Sequence, residues 1–198
     1  HYPPESLTFG IFVNDKGQRF VNEDAYLARI GHYASVQPGG RVFMFIDDAH
    51  FARPRYVLHT EIAATGDTVA EVESEAGLPE GALQSTVALY NRYAAHGADP
   101  LFHKAPEWLT PLVEPPFALV SYQLDKIVPA VFTLGGLDTL PTGEVVTPDR
   151  KVIPGLFAAG RTAAGIPRTS KGYASGMSVA DATFFGRKAG TSAAMRTD

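Results

Sequence analysis

The stretch Ile153–Gly160 (IPGLFAAG), followed by Arg161–Gly165 and then Gly172–Gly186 (GYASGMSVADATFFG), constrains the fold of this 198-residue chain more than any other part of it. A short apolar strand ends in Gly160, a glycine-rich loop carries Tyr173 and Ser175, and a helix of small residues begins directly behind them. Glycines let a backbone come close to a ligand. The start of a helix directs unpaired N–H groups and the positive end of its dipole at whatever sits there. The order strand, loop, helix therefore predicts a site for a flat cofactor that develops negative charge.

The rest of the composition sets the class. With 45% hydrophobic and 19% charged residues the chain is globular, with enough apolar material for one sizeable core or two small ones. The formal net charge of -4 and the lack of a Lys/Arg cluster exclude the electrostatic footprint of a nucleic-acid binder. No apolar run approaches the roughly 20 residues of a membrane span, and no signal-peptide pattern opens the chain. The absence of Cys excludes disulfides and thiolate metal sites, agrees with a reducing compartment, and gives a cytoplasmic expectation.

Along the chain, Leu7–Val13 alternates as a strand, Asn14–Gly17 turns, and Gln18–Val21 reads as a second strand. Asn22–Gly31 is a short helix or a structured loop, and Arg41–Ile46 (RVFMFI) is a buried strand, with Asp47 and Asp48 as caps at the start of a helix behind it. Two helices come next, Thr68–Ala76 with Asp67 as N-cap, and Pro79–Ala95 with Pro in its first turn and Gly97 past its end. Leu83, Val87 and Tyr90 share one apolar face of the second. Pro100–Pro116 is an irregular, packed connection, and Phe117–Leu124 and Ala130–Leu134 are strands. Gly135 and Gly136 mark a tight passage, Leu137–Val146 makes a hairpin-like excursion around Pro141–Gly143, and Leu156–Ala159 is the strand that delivers the site loop.

The segments IPGLFAAGR and GMSVADATFFGRKAG, together with Gly10–Glu23 (GIFVNDKGQRFVNE), resemble the FAD-dependent dehydrogenases related to the fumarate reductase and succinate dehydrogenase flavoproteins, in the same order and at the same spacing. The resemblance implies an α/β protein: an α+β capping domain over residues 1–134, and the C-terminal returning part of a Rossmann-like FAD-binding domain over residues 135–198. It implies FAD, held by Gly160, Arg161, Gly176, Met177, Ser178 and Val179, with Arg161 standing where many members carry Glu. Such enzymes cradle the FAD pyrophosphate with an N-terminal G-x-G-x-x-G turn. No such pattern occurs here and the chain opens on His1. The expectation is a C-terminal portion whose partner is the N-terminal FAD-binding portion of the same protein.

Within that superfamily, Tyr-Ala-Ser-Gly at Tyr173–Gly176, paired with Tyr26 shortly after Asn22-Glu23, resembles the 3-ketosteroid Δ4-(5α)-dehydrogenases. The resemblance implies a small apolar ketone as substrate and an electron acceptor that reoxidises the flavin. Tyr173 would bind the 3-keto oxygen, Ser175 would take the C4 proton, and Tyr26 would pass it towards solvent. A phenol donor in a dry pocket can stabilise the developing enolate, and a Ser hydroxyl needs a proton-accepting partner to act as a base. Fumarate reductases clamp a dicarboxylate with His residues before the Gly-Gly and an Arg in the last loop. Here Val131 and Phe132 precede Thr133, and Tyr173 occupies the loop. Alternatives are flavin chemistry on another enone or small acid, and an inactive capping fragment.

Plainer readings stand beside these. Ser175 directly before a helix is also an N-cap candidate, and a lone Tyr is commonly a core aromatic with a satisfied hydroxyl. His32, His50, His59, His96 and His103 lack metal-ligand spacing, so no metal is expected. Arg19 and Arg29 read as ion-pair or surface residues, and Trp108 as a packing residue.

Overall fold

The computed structural model describes residues 5–52, 61–123, 133–166 and 168–196. The chain is a mixed α/β protein that divides into two compact units, His1–Pro129 and Ala130–Asp198.

In the first unit four antiparallel strands, β1 (Ile11–Asn14), β2 (Val42–Asp47), β3 (Ile62–Gly66) and β4 (Phe117–Ser121), form a sheet in the order β1-β2-β4-β3. All six residues of β2 are buried. Its run VFMFID is nearly all apolar because both faces of the sheet are covered, the condition under which a strand loses its polar alternation. Phe43 and Phe45 join Ile11, Val13, Phe117 and Leu119 in one core, against α2 (Val69–Glu75) and α3 (Ala82–Ala94). Val42, Met44 and Ile46 join Phe12, Val120 and Leu7 in the other, against Ile30 and Ala34 of α1 (Leu27–Ser35). Leu83, Val87 and Tyr90 form the buried face of α3 that their spacing predicts.

Several boundaries differ from the sequence reading. Leu7 to Phe9 lie in a 3₁₀ turn, Glu5–Phe9, closed by the Gly10 N–H on the Leu7 carbonyl, so β1 starts only at Ile11. The expected strand Gln18–Val21 reduces to a single bridge, Val13 to Arg19. The Glu23 carboxylate takes the next ladder position by accepting the Phe12 N–H at 3.0 Å. Thr68, not Asp67, caps α2, because Thr68 and Glu71 close a capping box that needs its acid three residues on. Asp47 and Asp48 cap no helix among the described residues: the Asp47 carboxylate accepts the N–H groups of Val113 and Glu114 and pairs with His50 Nδ1 at 2.6 Å. Leu124 and residues 130–132, parts of two expected strands, lie outside the described residues, as do His59, Val131 and Phe132. Thr133 and Leu134 are not in a strand.

The connection 100–116 is packed as expected. Trp108 meets Phe9 edge-on at 5.2 Å, Leu112 is buried, and the Lys104 ammonium donates to the carbonyls of Gly10 at 2.7 Å and Phe9 at 3.2 Å. Lys104 belongs to a buried charge quartet. Arg19 Nη2 lies 2.6 Å from Glu23 Oε2 and 2.8 Å from Asp99 Oδ2, and Lys104 Nζ lies 3.5 Å from Glu23 Oε2. Burial works against the Arg19 charge, yet hydrogen bonds and attraction from Glu23 and Asp99 hold its pKa above the ordinary value. Burial pushes the Lys104 amine down to about 8, with the Arg19 charge adding to that shift and Glu23 opposing it.

In the second unit β5 (Glu144–Val146) and β6 (Val152–Phe157) pair antiparallel, and α4 (Met177–Ala194) comes after the loop. The hairpin around 141–143 forms, with Thr139 bridged to Val145. β6 begins four residues before the expected Leu156 because Val152 pairs with Val146. Gly136 is a tight passage: a side chain there would run into the backbone of Thr162 and Ala163, beside which Leu137 bonds the Thr162 carbonyl at 2.8 Å. The buried cluster is small, Val145, Ala158 and Ala163, whereas Leu156, Ile166, Val179 and Phe184 are exposed.

Buried charge makes the first unit sensitive to two substitutions. Arg19→Met takes the ion-pair partner from the Asp99 carboxylate and leaves Glu23 with Lys104 at 3.5 Å as its remaining cation, and chemical denaturation should show a loss of about 3–5 kcal/mol. A loss below about 1 kcal/mol would mean that water reaches the pair. Glu73 is buried and accepts the N–H groups of Gly81, Leu83 and Gln84 at the start of α3. Burial alone would raise its pKa, but the Gln84 amide and these backbone donors together bring it below 4.5. The stabilisation is therefore complete above the unfolded-state value and lost as pH falls through the folded one. Glu73→Ala should cost about 2–3 kcal/mol at pH 7, and the gap to wild type should narrow as pH falls below the ordinary carboxylate range and Glu73 is protonated in the folded state.

Candidate functional site

The site loop begins where β6 ends. Gly160 sits at φ +66°, a left-handed conformation that glycine adopts without strain, and opens a 3₁₀ turn, Gly160–Thr162. Its α-carbon faces Ala182 of α4, where a β-carbon would lie 3.2 Å from the alanine methyl. Arg161 spends a guanidinium N–H on the Thr133 carbonyl at 2.6 Å, which ties the loop to the segment before Gly135. Farther on, the Ile166 N–H donates to the Asp181 carboxylate at 3.1 Å. Asp181 is 2% exposed, and it fastens the loop to α4. A cavity of about 190 Å³ opens here, bordered by Leu140, Ala158, Gly160, Gly165, Asp181 and Phe185.

The second half of the loop turns into α4. Thr169 caps a short 3₁₀ turn, Ser170–Gly172, by accepting the Gly172 N–H, and Tyr173 is next, in extended conformation. Tyr173 is 7% exposed and its hydroxyl lies 2.9 Å from Ser178 Oγ. Ser175 is exposed and does not cap the helix: Gly176, at φ +88°, is the N-cap, with open space around its α-carbon. The capping reading of Ser175 is thereby corrected, because the left-handed turn that starts α4 falls one residue later. Among the described residues no backbone carbonyl accepts the N–H groups of Ser178 or Val179.

Of the expected site residues, Gly160, Arg161, Tyr173, Ser175, Gly176, Met177, Ser178 and Val179 all lie on this loop and the first turn of α4. Tyr173 and Ser178 are in direct contact. Tyr26 belongs to the first unit, where it is the N-cap residue of α1 and 39% exposed. The segment before it is held firmly: Asn22 Nδ2 donates to the His103 carbonyl, and Asp24 accepts the Ala105 N–H. Sequence reasoning missed Asp181, whose signal was an acid in the second turn of a helix of small residues. It also missed Asp99 and Lys104, which sit 80 or more residues from Arg19 and have no local signature. Among the described residues no group of three His, Asp or Glu could hold a metal ion, and no helix is long and apolar enough to cross a membrane.

Unsatisfied N–H groups on the first turn of an 18-residue helix, the positive end of its dipole, a glycine N-cap with open space before it and a second glycine at the strand end make a donor set suited to a planar, electron-accepting ring. FAD fits that set. Similarity to known proteins agrees. The chain is 42% identical to the 3-ketosteroid Δ4-(5α)-dehydrogenase of Rhodococcus jostii, whose crystal structure holds 4-androstene-3,17-dione; the match covers 98% of this chain and 40% of that one, with a TM-score of 0.82. It is 31% identical to a urocanate reductase of Eggerthella lenta, over 93% of this chain and 31% of the relative. It is 29% identical to a cytochrome-type fumarate reductase of Shewanella frigidimarina, over 93% of this chain and 30% of the relative. The chain thus spans about a third of the length of these curated relatives. Matched over residues 8–176, it belongs to the FAD binding domain family, the flavoproteins of fumarate reductase and ketosteroid dehydrogenase type.

Proposed function

We propose that this chain is the substrate-covering and returning part of a longer FAD-dependent dehydrogenase that desaturates a 3-ketosteroid between C4 and C5. The first unit serves as the capping domain, and the second completes the FAD-binding domain. The observation that carries the reading is the buried Tyr173 hydroxyl at the head of α4, in a chain 42% identical to a steroid dehydrogenase. Exposed Leu156, Ile166, Val179 and Phe184 beside a small core support a missing neighbour for the second unit, since apolar surface of this kind marks an interface. The remainder of the FAD-binding domain is the occupant that the family membership supplies.

In this reading Gly160 and the first turn of α4, Gly176 to Val179, hold the flavin by backbone approach and N–H donors. FAD supplies the two-electron acceptor that takes the hydride from C5. Tyr173 donates a hydrogen bond to the 3-keto oxygen and stabilises the negative charge that gathers there as the C4 proton leaves. Ser175 accepts that proton, and Tyr26 relays it from the Ser175 hydroxyl towards solvent. The C4–H and C5–H bonds break, the C4–C5 double bond forms, and one proton and one hydride leave the substrate. The names of the reductase relatives favour a second reading, reduction of a small unsaturated acid. Against it stands a phenol where a carboxylate clamp would need a cation.

Stopped-flow flavin reduction by a 3-keto-5α-steroid in the complete flavoprotein tests the assignment. Tyr173→Phe should slow reduction about 10²- to 10³-fold, the range for loss of one oxyanion donor, and Ser175→Ala should be at least as damaging. Tyr26→Phe should slow turnover while leaving substrate affinity nearly unchanged. Wild-type rates for Ser175→Ala and Tyr26→Phe together would remove the proton route. Oxidation of the reduced flavin by an unsaturated acid, with no response to steroid, would establish the second reading instead.

A further inference from the structure

We infer that the cavity bordered by Arg19 in the first unit binds a small, neutral aromatic molecule that carries a carbonyl oxygen. The cavity has a volume of about 280 Å³, and all its lining residues lie between Gln18 and Phe102. The sequence of α3 accounts for one wall. Thr86, Leu89, Tyr90 and Tyr93 are spaced by three and four residues and so stand on one stripe of the helix. Leu101 and Phe102 add to the lining from a turn that Asp99 fixes, its carboxylate accepting the N–H groups of Phe102 at 3.3 Å and Lys104 at 3.1 Å. Leu89 and Leu101 are exposed, so apolar surface borders the cavity.

The polar group that marks this cavity as a site is Arg19, whose side chain is 6% exposed. Its guanidinium lies 4.7 Å from the centre of the Phe102 ring and 5.2 Å from that of Tyr90. Nε and Nη2 are spent on the Glu23 carboxylate at 2.9 and 2.6 Å, and Nη2 also meets Asp99 at 2.8 Å. Nη1 has no hydrogen-bond partner among the described residues, and it is not one of the fully buried atoms that lack one. Its N–H groups are therefore what Arg19 has left to offer the cavity. A donor in a nearly closed apolar site is costly without an acceptor, and a ligand oxygen recovers that loss.

Charge sets the class of ligand. Glu23 and Asp99 balance Arg19 and Lys104, so the quartet has no net charge to attract an anion. A carboxylate at Nη1 would stand near the Asp99 carboxylate, which also borders the cavity, and the two would repel. A carbonyl oxygen accepts the same N–H groups without that repulsion. The rings of Tyr90, Tyr93 and Phe102 suit an aromatic body, and the volume admits roughly a dozen non-hydrogen atoms, two fused rings with one substituent.

The test uses the complete flavoprotein with FAD bound and three probes of one shape, 2-naphthamide, 2-naphthoate and 2-methylnaphthalene. Ligand-observed NMR gives the affinity, flavin absorbance reports a probe that settles against the cofactor, and a crystal structure of the 2-naphthamide complex gives the location. 2-Naphthamide should bind beside Arg19 without changing the flavin spectrum, about 10-fold tighter than either other probe, as one hydrogen bond to a charged donor implies. Leu89→Trp, which fills the cavity from α3, should weaken binding about 10-fold, and Leu101→Ala about 3- to 5-fold. Both change exposed positions and leave the buried charges in place. Tighter binding of 2-naphthoate than of the amide, wild-type affinity in both variants, no saturable binding at about 1 mM, or a crystal structure with a side chain of the N-terminal portion in the cavity would overturn the inference.

Discussion

The buried carboxylate of Glu23 is the constraint on which the first unit depends. It takes the Phe12 N–H on the outer edge of β1, binds Arg19 through both oxygens, and lies within 3.5 Å of the Lys104 ammonium. Arg19 passes the link to Asp99, and Lys104 passes it to the carbonyls of Phe9 and Gly10. The edge of the sheet, the loop before α1 and the loop after α3 thus meet on one acid. Burying four charges is costly unless every partner is in place, so removing any one of them leaves the others uncompensated. What the network fixes is the stretch 22–24, directly ahead of Tyr26.

The two units are built on different principles. The first has a sheet covered on both faces and two apolar cores of its own. The second has a two-stranded sheet, one long helix and a small cluster, and its order comes from close backbone approaches and polar ties: Arg161 to Thr133, Ile166 to Asp181, and Gly136 against Thr162 and Ala163. That economy leaves backbone donors, the Ser178 and Val179 N–H groups, without a backbone carbonyl among the described residues at the head of α4. Such a surface suits a large planar cofactor better than a small polar ligand.

Much of this was legible in the sequence. The apolar run of β2, the face of α3 and the strand, loop and helix around Gly160 to Val179 all arise from local pattern, and the segments at both ends of the chain pointed to the family. What was not legible depended on side chains acting at a distance. Glu23 displaced the expected strand Gln18–Val21 by occupying its ladder position, and Asp47 bonded to Val113 and Glu114 instead of capping a helix. Ser175 lost the capping role to Gly176 because a left-handed glycine can start α4 without a side-chain acceptor. The contact between Tyr173 and Ser178, five residues apart across that turn, depends on the left-handed turn at Gly176 and has no local signature in the sequence.

The central claim is that the Tyr173 phenol is the group that meets a ketone at the flavin. A crystal structure of the complete flavoprotein with FAD and a bound 3-keto steroid addresses it directly. The expected result is the keto oxygen within hydrogen-bond distance of the Tyr173 hydroxyl, the Ser175 hydroxyl facing C4, and the flavin ring against the first turn of α4. A ketone held by other groups, with Tyr173 turned away from the ligand, would contradict the assignment.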